Sequence, residues 1–186
     1  DEHTLEDGFC VVCGAMDVDN APRDERGYFK LSSPNHLLWL AQQVESGVTD
    51  VCGVLTQDID MSAYADFMIG RSYPYSGVLD GAGHGITLAQ KVNSDNAGLI
   101  GILSGTLQDM TVRGSLTTNS KYAGMVSNLR GGKVLRCQSY LDIHATINGD
   151  GTHGGLVGLV NESTLPSQVR DCLFAGSIQG EKVNCC

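Results

Sequence analysis

The chain has 186 residues with 12 Lys plus Arg against 21 Asp plus Glu, a net charge of -9, so it is long enough for one domain with its own core. Its field opposes phosphate backbones and anionic membranes, and no basic patch offsets it, which argues against nucleic-acid and polybasic membrane binding. Aromatics are 6% of residues against a hydrophobic fraction of 41%, and the 24 glycines lack a collagen period, so the core is aliphatic and the turns are tight.

Residues 1–27 are polar and acidic and read as a lead-in segment. DEHTLEDGF has no basic-then-apolar order, so a secreted form would already have lost its signal peptide. The segment holds Cys10-Val11-Val12-Cys13-Gly14. Such a pair matches one edge of a tetrahedral zinc site or one arm of a local or N-to-C disulfide arrangement, and His3, Cys185 and Cys186 are the other donors in view. Residues 28–52 read as a strand, Tyr28–Leu31, followed by a helix. Ser33 can cap that helix, Pro34 suits its first position, Leu37, Leu38, Leu40, Ala41 and Val44 share a face, and Gly47 stops it. An amphipathic helix there serves as the lid of a solenoid.

From residue 53 to 186 the rhythm is short strands. AGLIG begins at Ala97, AGMVS at Ala123 and GGLVG at Gly154, and each is followed by a second block: LQDMTVRGSL from Leu107, VLRCQSYLDI from Val134 and VRDCLFAGSI from Val169. Two motifs recurring in fixed order at roughly 30 residues are the mark of stacked units, with length differences absorbed in turns. Strands, Gly corners and no helical period select an all-β solenoid, the parallel β-helix. The expected inward positions are Leu99, Met125 and Leu156, then Met110, Leu135 or Cys137, and Val169 or Cys172.

AGLIG, AGMVS and GGLVG, with the V-x-x-C strands and G-S-I or G-S-L that follow, resemble the GLUG-motif repeats of bacterial secreted and cell-surface proteins. GVLDGAGHGIT is similar to the segment that often precedes those repeats, and GYFKLSSPNHLLWLAQQVESG to their strand-and-helix lead-in. The resemblance implies a right-handed parallel β-helix, exported and adhesin-like, and brings no catalytic residues. Ser127 stands where Gly is usual, and Met110 where the other two blocks have Cys.

Seven cysteines favour an oxidising compartment. All are disulfide candidates: Cys10, Cys13, Cys52, Cys137, Cys172, Cys185 and Cys186. Cys137 and Cys172 hold equivalent places in successive coils and fit a bridge or a ladder of small buried thiols equally. Asp58, Asp60, Asp80, Asp109, Asp142 and Asp171 are the carboxylates to test for a paired-acid or calcium-dependent carbohydrate site. His36, His84, His144 and His153 stand in unlike contexts, and no catalytic or phosphate-binding motif occurs. The Asn161-Glu162-Ser163 sequon is read as chance. The expectation is therefore a non-catalytic extracellular structural or adhesive module without a cofactor or metal. Its partner would be a surface protein, a glycan, or other copies joined head to tail through the odd cysteine. A carbohydrate-active enzyme or glycan-binding module is the rival.

Overall fold

Strand alternation with Gly-marked corners forces the chain to turn every few residues, and the repeated blocks make successive turns superimpose. The computed structural model describes residues 4–6, 8–10, 16–180 and 184–185, with backbone alone for 6, 184 and 185. The chain winds into a parallel β-solenoid of about 5 turns with one short helix near its N-terminus. A first sheet stacks six strands: Phe29–Leu31, Gly53–Leu55, Val78–Asp80, Thr106–Gln108, Lys133–Leu135 and Gln168–Arg170. A second stacks Ile59–Asp60, Gly85–Val92, Thr111–Thr118 and Gln138–Ala145, the last paired with both Leu173–Phe174 and Ser177–Gln179. Asn96–Ala97, Tyr122–Ala123, Thr152–His153 and Asn184–Cys185 form a third, and Ile100–Leu103, Val126–Leu129 and Val157–Val160 a fourth.

The register places like on like. Leu107 pairs with Leu79 and Val134, and Val134 with Val169, so the second sequence block repeats in step. Val134, not Leu135, is the inward residue of its strand, because the period-2 alternation puts Leu135 at the outer side beside Gln108 and Arg170. Of the alternatives left open, Cys137 and Cys172 follow Met110 in an inward column, and Val169 holds the inward register opposite buried Val134 but is 45% exposed. Leu99 and Met125 are fully buried and Leu156 is half-buried. The third repeat, GGLVG, carries one extra residue: Ala123 pairs with His153 but Val126 pairs with Val157. Gln138–Ala145 shows the alternation cleanly, with Ser139, Leu141, Ile143 and Ala145 inward and Gln138, Tyr140, Asp142 and His144 outward.

Glycine recurs where two rungs touch backbone to backbone. A Cβ on Gly98 would lie 2.0 Å from the Gly124 oxygen, and one on Gly124 would lie 2.6 Å from the Gly154 oxygen. A second column behaves alike: a Cβ on Gly105 would lie 2.0 Å from the Gly77 oxygen. Ser127, the departure from the Gly pattern, is fully buried and donates its hydroxyl to Tyr122 O at 2.9 Å, with Asn96 Oδ1 at 3.0 Å.

Helix α1, Pro34–Glu45, has Ser33 at its N-cap without a side-chain capping bond; the Ser33 carbonyl accepts from His36 N at 3.1 Å. Its buried face is His36, Leu37, Trp39, Leu40, Ala41 and Val44, so Trp39 is core, while Leu38 is half-buried. Gly47 follows with φ 96°, and Val48 N reaches back to Gln43 O at 3.0 Å. Phe29 meets Trp39 edge-on with centroids 5.0 Å apart, and Glu45 Oε1 accepts from Arg71 N at 2.7 Å, tying helix to solenoid. The outer edge of Phe29–Leu31 is itself paired: Lys30 N donates to Pro22 O and Asp24 N to Tyr28 O, both at 2.9 Å. At the opposite end Val160, Leu165, Val169 and Leu173 are 57%, 64%, 45% and 47% exposed.

Replacing Gly98 by Ala should cost about 1–3 kcal/mol, because the added methyl drives one rung off the next. Gly149, where a Cβ would meet nothing within 4 Å, should accept Ala with no such loss. Urea titration of the two variants checks both.

Candidate functional site: a charged corner beside the long-stranded sheet

The corner joining the first sheet to the second takes only two residues, Asp109-Met110, in one rung and Arg136-Cys137 and Asp171-Cys172 in the next two. So short a turn needs the left-handed backbone region, and Asp109, Arg136 and Asp171 have φ of 51°, 51° and 57°. Aspartate tolerates that region and arginine does so less readily. Backbone bonds continue through the corner: Gly81 N to Gln108 O at 2.8 Å, Asp109 N to Leu135 O at 3.0 Å and Arg136 N to Arg170 O at 2.9 Å. In the earlier rung the same corner spans Gly81 to His84, two residues more, and rises as a wall.

Stacking an Asp, an Arg and an Asp one per rung makes a column of alternating charge. Arg136 grips Asp109 with both arms of its guanidinium, Nε to Oδ1 at 2.6 Å and Nη2 to Oδ2 at 2.7 Å. That fork holds the Asp109 carboxyl below the usual aspartate range, and raises Arg136. Beside it Asp80 is buried and accepts from Arg26 Nη1 at 2.6 Å, Ala82 N at 2.8 Å and Gln108 Nε2 at 3.0 Å. Arg26 is pushed further up, by Asp80 first and then Asp24. Between wall and column runs an open groove of about 390 Å³ lined by Ala82, Gly83, Asp109, Thr111, Arg136 and Gln138, among others.

The other candidate carboxylates are scattered. Asp58 Oδ1 accepts from Gly85 N at 2.7 Å and lies 3.7 Å from His84 Nδ1, and Asp60 caps a turn through Ser62 N at 2.8 Å. Asp142 accepts from Ser177 Oγ at 2.7 Å, and exposed Asp171 has Arg170 Nε at 3.7 Å. Asp109 and Asp171 do share one corner position, but Arg136 stands between them. Asp80 and Asp109 both line the corner groove, but the oxygens of each are already hydrogen-bonded within the protein. Among the described residues no group of three or more His, Cys, Asp or Glu is placed to hold a metal ion.

The histidines stay apart. His36 is stacked on Phe9, with centroids 3.4 Å apart, and accepts from Ser32 N at 2.9 Å. His153 points inward, fully buried, with Nε2 3.0 Å from Ser120 O; His144 faces outward. Asn161 of the sequon donates Nδ2 to Asn128 Oδ1 at 3.0 Å.

Cys52, Cys137 and Cys172 are free thiols, so of the two arrangements open to Cys137 and Cys172 the bridge is not formed and the ladder of unbridged thiols is. Each sulfur of that pair instead leans on carbonyls: Cys137 Sγ donates to Leu135 O at 3.3 Å and Cys172 Sγ to Arg170 O at 3.2 Å. Burial pushes the Cys137 thiol up to about 12. Cys10 is buried in the strand Phe9–Cys10. His3, Cys13, Cys186 and the side chain of Cys185 lie outside the described residues, and with them the zinc and terminal-disulfide arrangements.

Sequence reasoning isolated Asp109 and Asp171 but missed Arg136, although the aligned blocks LQDM, VLRC and VRDC carry D, R and D at one position. Comparison with protein families, with curated proteins and with solved structures found no match for this chain.

Two outcomes follow. Because Arg136 lowers the folded-state pKa of Asp109, the pair adds stability above the ordinary aspartate range that is lost as pH falls through the lowered value. Partial exposure limits this to about 1 kcal/mol or less. Urea midpoints at pH 7 and pH 3 should therefore differ less for Arg136→Gln than for the parent. Iodoacetamide at pH 8 should label Cys52 ahead of Cys172 and leave Cys137 untouched until urea unfolds the chain, as read by peptide mass mapping.

Proposed function

We propose that the chain is a non-catalytic extracellular module of the GLUG-repeat kind, structural and adhesive, whose stacked rungs hold a stiff surface toward a partner protein or glycan. The observation that carries this reading is the fate of the charged groups at the corner. Both oxygens of Asp109 are taken by Arg136, and Asp80 is spent on Arg26, Gln108 and a backbone amide. A general acid or nucleophile needs a carboxyl that can exchange partners with substrate, and these are locked in the fold.

Export draws its support from the resemblance and from cysteine usage. The unbridged Cys52, Cys137 and Cys172 add nothing to it. Joining of copies head to tail draws its support from the odd number of cysteines, 7 in the chain. It would require the cover at Pro22–Asp24 to leave the edge of Phe29–Leu31.

The test is prolonged incubation with neutral and uronate-containing polysaccharides, followed by chain-length analysis and reducing-end titration. The expected outcome is no shortening of any chain. Depolymerisation that disappears in Asp109→Asn would overturn the reading and install the carbohydrate-active enzyme in its place.

A further inference from the structure

The second sheet turns its outer face to solvent, where the short Thr87, Ala89, Thr111, Ser115, Thr117 and Ser177 stand among longer side chains. One aromatic stands above this floor. Tyr140 is 39% exposed, and its hydroxyl donates to Gln138 Oε1 at 3.0 Å, which fixes the ring and leaves the Gln138 amide group to serve as a donor. Its register partner on the neighbouring rung, about 4.8 Å away, is Arg113. Arg113 is exposed and its guanidinium reaches back over Gly85, where a Cβ would lie 3.7 Å from Nη2. Thr87 and Tyr140 flank it in register and Thr111 precedes it on the same face, while Asp142 lies two residues beyond Tyr140, opposite Ser115. Thr111 and Gln138 are also walls of the corner groove, so ring, guanidinium, amide and hydroxyl share one continuous surface with it.

An immobilised ring set in a polar floor, with donors and acceptors around it, is the arrangement that binds a sugar. The apolar C–H face packs on the aromatic and the hydroxyl rim is satisfied by Arg, Gln and Thr. We infer that this surface is a binding site for a neutral hexose chain, lying on Tyr140 and hydrogen-bonded by Arg113, Gln138 and Thr111. Neutrality follows from charge: with a net -9 the molecule repels polyuronates, and the cations of this face and its corner, Lys91, Arg113 and Arg136, are matched by Asp60, Asp109 and Asp142. The inference deepens the adhesive reading above and rests on it for the chain being bound and not cut.

Isothermal titration of the full chain with cellohexaose, mannohexaose and hexagalacturonate tests the site. Binding of a neutral hexaose is expected, insensitive to salt, weakened about tenfold or more in Tyr140→Ala and several-fold in Arg113→Gln, and largely kept in Tyr140→Phe. Lys133→Ala, in the first sheet, serves as the control and should bind as the parent does. Circular dichroism melts keep a folding defect from passing as lost binding. Binding confined to hexagalacturonate, no binding of either neutral hexaose, or binding untouched by Tyr140→Ala overturns the inference. Product analysis of the same samples separates the two ideas: cleaved hexaose sinks the non-catalytic reading while leaving the site to be judged by its variants.

Discussion

The backbone ladder between rungs governs everything else in this molecule. Parallel strands about 4.8 Å apart bring each residue against its counterpart in the turns above and below, at a distance no side chain can adjust. Where the contact is side chain on side chain, the solution is a column of similar size, such as Leu79, Leu107 and Val134. Where it is backbone on backbone, only hydrogen fits, and Gly98 over Gly124 and Gly77 over Gly105 are the result. The repeated AGLIG-like motif is thus a steric record of corners that touch.

That constraint explains how much of the fold could be read from the sequence. Repetition, glycine placement and β-branched blocks carry the ladder's signature, so the solenoid, the helix from Pro34 and the inward Met110 were legible, with Cys137 left as an alternative to Leu135. The fine register was not. Leu135 and Val134 are equally apolar, and their faces are set by where the corner places the first residue of the strand, which depends on Lys133 pairing with Thr106. The extra residue at Gly154-Gly155 was hidden for a similar reason: two glycines in a row allow the motif to be aligned either way, and only the pairing of Ala123 with His153 decides it.

The candidate site was less legible than the fold, because it is made between rungs. Asp109 and Arg136 are 27 residues apart and become a bidentate pair only when the register stacks them. Asp80 and Arg26 are 54 apart, with Arg26 in a segment that reads as plain loop. Tyr140 and Arg113, 27 residues apart, are likewise brought side by side only by the register. A solenoid converts sequence distance into adjacency at fixed intervals, so aligning the blocks and reading down the columns recovers some of these pairs, as D, R, D at the corner shows. It cannot recover a partner such as Arg26, which comes from outside the repeat.

The separation of inside from outside also bears on how such a protein acquires a binding surface. Along Gln138–Ala145 every second residue is fixed by the core column, and the alternate ones carry no packing duty. Changing Gln138, Tyr140, Asp142 or His144 alters the outer face without altering the ladder, whereas a change at Leu141 or Ile143 is felt by the rungs on both sides. The stiff part and the adaptable part therefore sit on the same strand, one residue apart.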